Sequence, residues 1–291
     1  MNEPLRTVGE RNDCQWTADL TFAAGVAARF RGHEYSACRG DLGRYGMVEA
    51  LLKRSELVEG SMYTLYHHPF CPHSRFVRLV LGEYGLDLRL VEERAWERRE
   101  DFLALNPAGS TPVLTVDGLP PVPGVSVIAE FIDDACGAEA GDRRLMPADL
   151  AERIEVRRLM DWFNEKFFEE ASNLLVTERI YKRFMSEEDG GGPPATDVIR
   201  AAKTNVRYHL AYIGWLAQRR NFLAGDRLTY ADLAAAAHLS AIDYLGDVPW
   251  IEDDAAKAWY ARVKSRPSFR PLLSDWLAGV PASRTYVDLD F

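Results

Sequence analysis

Cys71 lies in the stretch HHPFCPHSR, residues 67–75, directly before a segment with a helical pattern. Unpaired N–H groups and the positive end of a helix dipole stabilise a thiolate at such a position. A dithiol redox enzyme would carry its second cysteine three residues further on, where this chain has Ser74. The sequence therefore excludes a two-cysteine redox cycle. It leaves open single-thiol chemistry, activation of the thiol by the Ser74 hydroxyl, and a purely structural cysteine at a helix start.

The histidines and the other cysteines carry weaker signals. His67 and His68 stand where the first predicted strand meets a loop, and exposed or capped imidazoles are common there. His209 and His238 fall in apolar helical segments, so we interpret them as hydrogen-bonded core residues. The cysteines form no C-x-x-C pair and no metal-ligand spacing with the histidines, so no metal site and no disulfide framework are predicted. The four cysteines are Cys14, Cys38, Cys71 and Cys136.

Composition limits the classes of protein that this chain can belong to. It has 291 residues and 47% apolar residues, enough for two packed domains. The formal net charge of −9 disfavours nucleic acid and anionic membranes as main partners. No stretch is long and apolar enough to span a bilayer, so membrane insertion is not expected. Cysteine usage without disulfides indicates a cytoplasmic protein.

The character of the sequence changes at Met62. The residues before it lack a sustained helical or strand period, and we interpret them as an upstream extension that is not part of the fold. Met62 is then a candidate translation start. After it, short strands alternate with helices, which predicts an α/β arrangement, and the second half is predicted to be all-helical. The predicted order is extension, first domain, linker, helical domain and extended tail: 1–61, 62–137, 138–150, 151–280 and 281–291.

Two helices of the second half have informative patterns. The stretch DLAERIEVRRLMDWFNEKFFEE predicts one long amphipathic helix with five apolar residues near one side. The most apolar helix follows Thr229, and Asp232 three residues later completes a capping-box pattern. The five apolar residues are Ile154, Leu159, Trp162, Phe163 and Phe167.

Several stretches together resemble the glutathione transferase superfamily: the strand followed by the Cys-Pro helix, NPAGSTPVL, and FLAGDRLTYADLAAAAHL. The resemblance covers Met62 to about Phe269. It implies a thioredoxin-like domain followed by an all-helical domain.

Longer stretches look like an alphaproteobacterial branch of that superfamily, the FtsZ-localised protein A group. They are YTLYHHPFCPHSRFVRLVLGEYGL, LVTERIYKRFM, YLGDVPW and the terminal YVDLDF. This resemblance implies a homodimeric cell-division factor that binds FtsZ filaments, promotes constriction at the division site and does not need glutathione chemistry.

The resemblance also implies which residues would hold glutathione. Pro112 matches the superfamily's cis-proline, and Val113 after it would present its backbone to the cysteinyl part of glutathione. The acid–serine pair that binds the γ-glutamyl carboxylate falls on Gly124 and Val125, which have no suitable side chain. Ser126 could help only in a shifted register. Each lost charge-assisted hydrogen bond costs roughly 1.5–3 kcal/mol, so the affinity for glutathione should fall by about a hundredfold or more.

Two functions therefore compete. The first is an interaction protein that binds FtsZ polymers, requires no cofactor and keeps Cys71 and Ser74 as inherited, idle residues. The second is a glutathione S-transferase or glutathione-dependent thiol reductase that uses Cys71, with glutathione as its ligand. A transcriptional or stress regulator on the same scaffold would leave the tail unexplained.

The tail combines aromatic residues with acids, which suits a protein interface. The predicted partner-binding residues are Tyr286, Asp288, Asp290 and Phe291.

Overall fold

The structure is a computed structural model that describes residues 62–288. The predicted upstream extension, residues 1–61, lies outside the described residues. So do Asp290 and Phe291 of the tail. The interpretations placed on these residues stay predictions.

The first domain is built on a four-stranded sheet in the order β2-β1-β3-β4. Strand β1 (Tyr63–His67) is parallel to β2 (Leu88–Glu92) and antiparallel to β3 (Val113–Val116), which pairs with β4 (Val122–Pro123) in antiparallel fashion. Three helices and one 3₁₀ turn accompany the sheet, which confirms the predicted thioredoxin-like arrangement. They are α1 (Pro72–Tyr84), the turn Ala95–Glu97, α2 (Glu100–Leu105) and α3 (Val125–Cys136).

Helix α1 begins and ends where local sequence chemistry predicts. Cys71 precedes it in an extended conformation, with φ −68° and ψ 118°. Pro72 occupies the first turn, where its missing N–H has no intrahelical partner to lose. Gly85 ends the helix in the left-handed region, φ 69°, and its N–H bonds back to the carbonyl of Gly82. The helix thus holds Cys71 at its amino end with little freedom.

The second domain is helical throughout. A π-helical segment, Trp162–Ser172, joins the first two helices into one continuous run. Among residues 62–288, no helix is both long enough and apolar enough to cross a membrane. The helices are α4 (Leu150–Asp161), α5 (Asn173–Arg179), α6 (Thr196–Ala217), α7 (Tyr230–Tyr244), α8 (Asp254–Lys264), α9 (Arg270–Leu273) and α10 (Arg284–Val287). The 3₁₀ segments are Gly141–Arg143, Tyr181–Arg183, Trp250–Glu252 and Pro267–Phe269.

The long helical run places one residue differently from the prediction. Leu159, Phe163 and Phe167 are fully buried, as expected, but Ile154 is 60% exposed. Ile154 precedes Leu159 by five residues, and at 3.6 residues per turn that spacing puts the two side chains on different faces of α4. The prediction that Ile154 shares the buried side was therefore wrong.

Helix α7 is the central helix of the second domain. The predicted capping box of Thr229 and Asp232 is present, and all 15 residues of α7 are buried. The Asp232 carboxylate also accepts hydrogen bonds from the backbone N–H of Leu223 (2.8 Å) and from the Trp259 indole (2.9 Å). The capping residue thereby ties the start of α7 to the preceding loop and to α8. Helix α7 packs against α1 of the first domain.

A buried arginine joins the two domains. The side chain of Arg75 on α1 is fully buried. It donates hydrogen bonds to the Pro69 carbonyl (2.7 Å), to the Ser240 hydroxyl on α7 (2.9 Å) and to the Asp275 carboxylate (3.3 Å). Arg78, one turn along α1, binds both oxygens of the same carboxylate at 2.7 and 3.0 Å. Asp275 therefore neutralises two arginines of the first domain from the far end of the second.

The tail belongs to the same cluster, which corrects two expectations. Residues 284–287 form the helical turn α10 rather than an extended segment. Tyr286 is fully buried; its ring lies 5.6 Å from the Arg75 guanidinium and its hydroxyl donates to the Leu272 carbonyl. Tyr286 is thus an intramolecular anchor and does not present its ring to a partner. Asp288 is exposed, and its carbonyl accepts a hydrogen bond from Lys264 (2.7 Å).

Replacing Asp275 by alanine tests how much this cluster contributes to the stability of the fold. The change leaves two buried guanidinium groups without their carboxylate, so we expect the free energy of unfolding to fall by about 3 kcal/mol. Urea denaturation measures the loss. Glu187→Ala, in an exposed loop, is the matched control and should change the free energy by less than about 0.5 kcal/mol. Equal stability of the two variants would contradict the role given to Asp275.

Candidate functional site

A cavity of about 190 Å³ lies beside Cys71 and is lined by residues of both domains. The first domain contributes His68, Cys71 and Thr111, from the loop after β1 and the loop before β3. The second contributes Phe168, from the π-helical segment, and Tyr181, just after α5. The site therefore exists only when the two domains are packed together.

The Cys71 thiol is enclosed rather than presented to solvent. The residue is 6% exposed, and its sulfur lies 3.9 Å from the Thr111 carbonyl, to which the S–H donates. A turn in which the Cys71 N–H bonds the His68 carbonyl (3.0 Å) fixes the residue at the start of α1. The Tyr181 hydroxyl shares a hydrogen bond with the thiol, and burial together with this neighbour raises the pKa of Tyr181 well above its usual value.

Ser74 supports the loop. It is fully buried, and its hydroxyl accepts a hydrogen bond from the His68 backbone N–H at 3.4 Å. Among the hydrogen bonds of residues 62–288, none joins the Ser74 hydroxyl to the Cys71 sulfur. The geometry thus favours a structural role for Ser74 over activation of the thiol.

The Thr111–Pro112 peptide bond is cis, as the sequence predicted. The Pro112 carbonyl accepts from the Gly124 N–H (3.1 Å), and Val113 is fully buried within the ladder between β1 and β4. The residue that faces the cavity is Thr111. Val113 is not among the lining residues, and its predicted contact with glutathione stays a prediction.

The start of α3 is where the superfamily pattern placed the carboxylate-binding pair. Gly124 precedes the helix with φ 88° and Val125 is its first residue, so neither brings a hydroxyl or carboxylate to the helix terminus. Ser126 lies in the first turn and is exposed. It is not among the residues that line the cavity. Its predicted part in glutathione binding stays a prediction.

Sequence analysis missed an aromatic cluster in the cavity wall. The His68 ring lies 4.7 Å from Tyr181 and 5.6 Å from Trp96, and Trp96 lies 5.0 Å from Tyr181. Trp96 lies in the arginine-rich stretch RAWERR, residues 94–99, whose composition is typical of a solvated surface. Tyr181 lies in the stretch LVTERIYKRFM, where its neighbours give no sign of a site. Because these rings come from distant parts of the chain, no spacing in the sequence could have joined them.

The charged lining of the cavity offers no partner for the carboxylates of glutathione. Glu93, 1% exposed, is the only Asp, Glu, Lys or Arg among the eleven lining residues. It forms an ion pair with Arg99 at 2.9 Å. Glutathione carries two carboxylates and one ammonium group, and a buried carboxylate repels the former and attracts the latter. With no acid–serine pair at Gly124 and Val125, no charged lining residue offsets the two carboxylates.

The histidines of the described region are held neutral by burial. Burial lowers the pKa of His67 and His68 to about 3, with nearby arginines contributing, and that of His209 to about 4. His238 contacts Ser172 (2.7 Å) through one ring nitrogen, and its pKa is also lowered by burial. His209 and His238 are core residues, as predicted. In residues 62–288, no cluster of side chains could hold a metal ion.

These lowered pKa values predict that acid destabilises the fold. An unfolded histidine binds a proton below about pH 6.5, whereas folded His68 stays neutral to about pH 3. Its contribution to stability is therefore present above pH 6.5 and is lost as the pH falls. Between pH 4.5 and 6, the free energy of unfolding should rise with pH less steeply in His68→Asn than in the wild-type protein. The difference in slope should be about 1.4 kcal/mol per pH unit. Urea denaturation at several pH values measures it, and an unchanged slope would contradict this assignment.

Comparisons with known proteins agree with this architecture. The sequence-family model of the glutathione S-transferase N-terminal domain matches residues 70–135, and the family model of the C-terminal domain matches residues 179–267. FtsZ-localized protein A of Caulobacter vibrioides is 42% identical over 231 residues, which are 78% of this chain and 98% of that protein. Glutathione S-transferase 3 of Zea mays is 30% identical over 71% of this chain and 90% of that protein.

A crystal structure of a glutathione S-transferase from Sinorhizobium meliloti is also similar. It is 49% identical with a TM-score of 0.78, and the match covers 79% of this chain and all of that one. The chain therefore belongs to the glutathione S-transferase superfamily.

Proposed function

We propose that this protein is a cell-division factor that binds FtsZ polymers and does not depend on glutathione chemistry. The observation that carries the proposal is the start of α3, where Gly124 and Val125 replace the groups that would hold the γ-glutamyl carboxylate. The relative named FtsZ-localized protein A, 42% identical over nearly its whole length, supplies the biological context. We place the protein in the cytoplasm, at the division site.

The cavity supports this proposal over the enzymatic alternative. A transferase has to bring the sulfur of glutathione to an electrophile, so it must first hold the tripeptide's carboxylates. Here the single charged lining residue is Glu93, and Cys71 is 6% exposed with its S–H directed at Thr111. Cys71 and Ser74 then serve the fold, and no cofactor is required.

The tail offers the contact with the partner. Lys264 is buried and donates hydrogen bonds to the carbonyls of Thr285 and Asp288, so the backbone there has a fixed position. Val287, 68% exposed, and Asp288 face solvent beside this anchor. A fixed exposed surface loses little entropy on binding. Asp290 and Phe291 follow directly, and we propose that they extend the same contact.

We also propose that the protein is a homodimer. On α3 and α4, three large apolar side chains are more than half exposed: Val127 on α3, and Leu150 and Ile154 on α4. An ion pair between Glu130 and Arg157 (3.3 Å) shows that the faces carrying them adjoin. A second copy would cover such an apolar face.

The net charge of −9 argues against nucleic acid as a further partner.

Co-sedimentation with FtsZ polymers tests the function. The wild-type protein should pellet with the polymers, and Asp288→Lys should reduce the pelleted fraction by about threefold or more, since it reverses a charge at the interface. The variant should remain folded, because the side chain is exposed, and its melting temperature should fall only slightly as the attraction between Asp288 and Lys264 is lost.

Glu187→Lys is the matched control, an exposed acid reversed in a loop of the second domain, and should pellet like wild type. Absence of the wild-type protein from the pellet would remove the main support for the function. Equal pelleting of Asp288→Lys and wild type would remove the tail from the interface.

A further inference from the structure

The cavity beside Cys71 has a composition that a different ligand class would recognise. Glu93, which is 1% exposed, is the only Asp, Glu, Lys or Arg residue that lines the cavity. The imidazole of His68 in the wall is neutral at physiological pH, since burial lowers its pKa to about 3. A buried carboxylate in such a wall attracts a positive charge and repels a negative one.

Aromatic rings make up much of the remaining wall. Trp96, Tyr181 and His68 contact one another with centroid separations of 4.7–5.6 Å, and Phe168 lines the cavity from the second domain. The faces of such rings attract ammonium and guanidinium groups, most strongly when water is excluded. Carboxylate and rings therefore favour the same kind of ligand.

A buried donor in the wall has no acceptor. The indole N–H of Trp96 is inaccessible to solvent and makes no hydrogen bond with any of residues 62–288. Leaving such a group unpaired costs about 1–3 kcal/mol. No water-sized atom reaches this N–H in the present conformation, so a ligand oxygen would remove the cost only after a rotation of the Trp96 ring. The ligand that fits best thus carries an acceptor beside its positive charge.

Two neighbouring cations are engaged elsewhere, and a third binds Glu93 itself. Arg75 is paired with Asp275, and Arg94 is paired with Glu97 on the surface. Arg99 donates to both carboxylate oxygens of Glu93, at 2.9 and 3.4 Å, but its side chain is 49% exposed and it does not line the cavity. Arg99 therefore competes with a bound cation from the solvent side. The positive end of α1 acts at the Cys71 wall, so the cation belongs beside Glu93 and the rings.

We propose that this cavity binds an organic cation, an alkylammonium or guanidinium group with a hydrogen-bond acceptor nearby. A volume of about 190 Å³ holds such a head group and a few attached carbons; it is smaller than the pockets of roughly 300–1,000 Å³ that take drug-sized molecules. Two sources share this chemistry: a free small amine and the lysine or arginine side chain of a protein. The proposal does not depend on FtsZ binding.

Calorimetric titration of the full chain with four probes tests it. The probes are N-acetyl-lysine methylamide, N-acetyl-arginine methylamide, tetramethylammonium and, as the anionic control, N-acetyl-glutamate methylamide. At least one cation should bind saturably and the anion should not. Tighter binding of a blocked amino acid than of tetramethylammonium indicates a side chain as the natural source, and the reverse order indicates a free amine.

Two variants with opposite expected effects localise the binding. Glu93→Gln should weaken the cation about tenfold or more, because it removes the charge-assisted contact. Arg99→Gln should tighten it about threefold or more by removing the competing cation. The glutamine amide can still donate to the Glu93 carboxylate, so the buried group keeps a hydrogen-bond partner and the variant is expected to fold.

If Glu93→Gln does not fold, the Arg99→Gln titration decides. No binding by any cation would overturn the proposal. Unchanged affinity in folded Glu93→Gln, or weaker binding in Arg99→Gln, would overturn it as well.

Discussion

The rest of the structure depends on one constraint: the buried guanidinium of Arg75 must keep its hydrogen bonds and its counter-charge. Removing a guanidinium from water is costly unless hydrogen bonds and a counter-charge replace the lost hydration. Here the replacements come from the Pro69 carbonyl, Ser240 on α7 and Asp275 beyond α9. The ring of Tyr286 adds a cation–π contact. One side chain thus connects the site loop, the central helix and the tail.

This constraint fixes the positions of the residues around Cys71 but places no requirement on the groups that would bind a ligand there. With Pro69 held by Arg75, the loop after β1 sets His68 and Cys71 against Tyr181 of the second domain. Nothing in that cluster requires a charged group at the start of α3. A superfamily scaffold can therefore keep its cis-proline and its cysteine after losing the groups that hold glutathione. The wall that results is aromatic and acidic, which suits a cation better than a carboxylate.

Features set by short-range chemistry could be predicted from the sequence. The bounds of α1 follow from Pro72 and Gly85, and the capping box from the spacing of Thr229 and Asp232. Features set by packing could not. The aromatic pattern of the tail reads equally well as exposed or buried, and only the Arg75 cluster decides that Tyr286 lies inside. Likewise, Thr111 lines the cavity from the loop before β3, whereas Val113, two residues further on, is paired on both sides within the sheet. Residue type alone does not distinguish the two positions.

We propose that this transferase fold no longer holds glutathione. Isothermal titration calorimetry of the wild-type protein with reduced glutathione tests it most directly, because it needs no assumption about substrate. The predicted result is no saturable heat in the micromolar range. Saturable micromolar binding would contradict it. Turnover of a model electrophile that is lost in Cys71→Ala would further establish a working thiol.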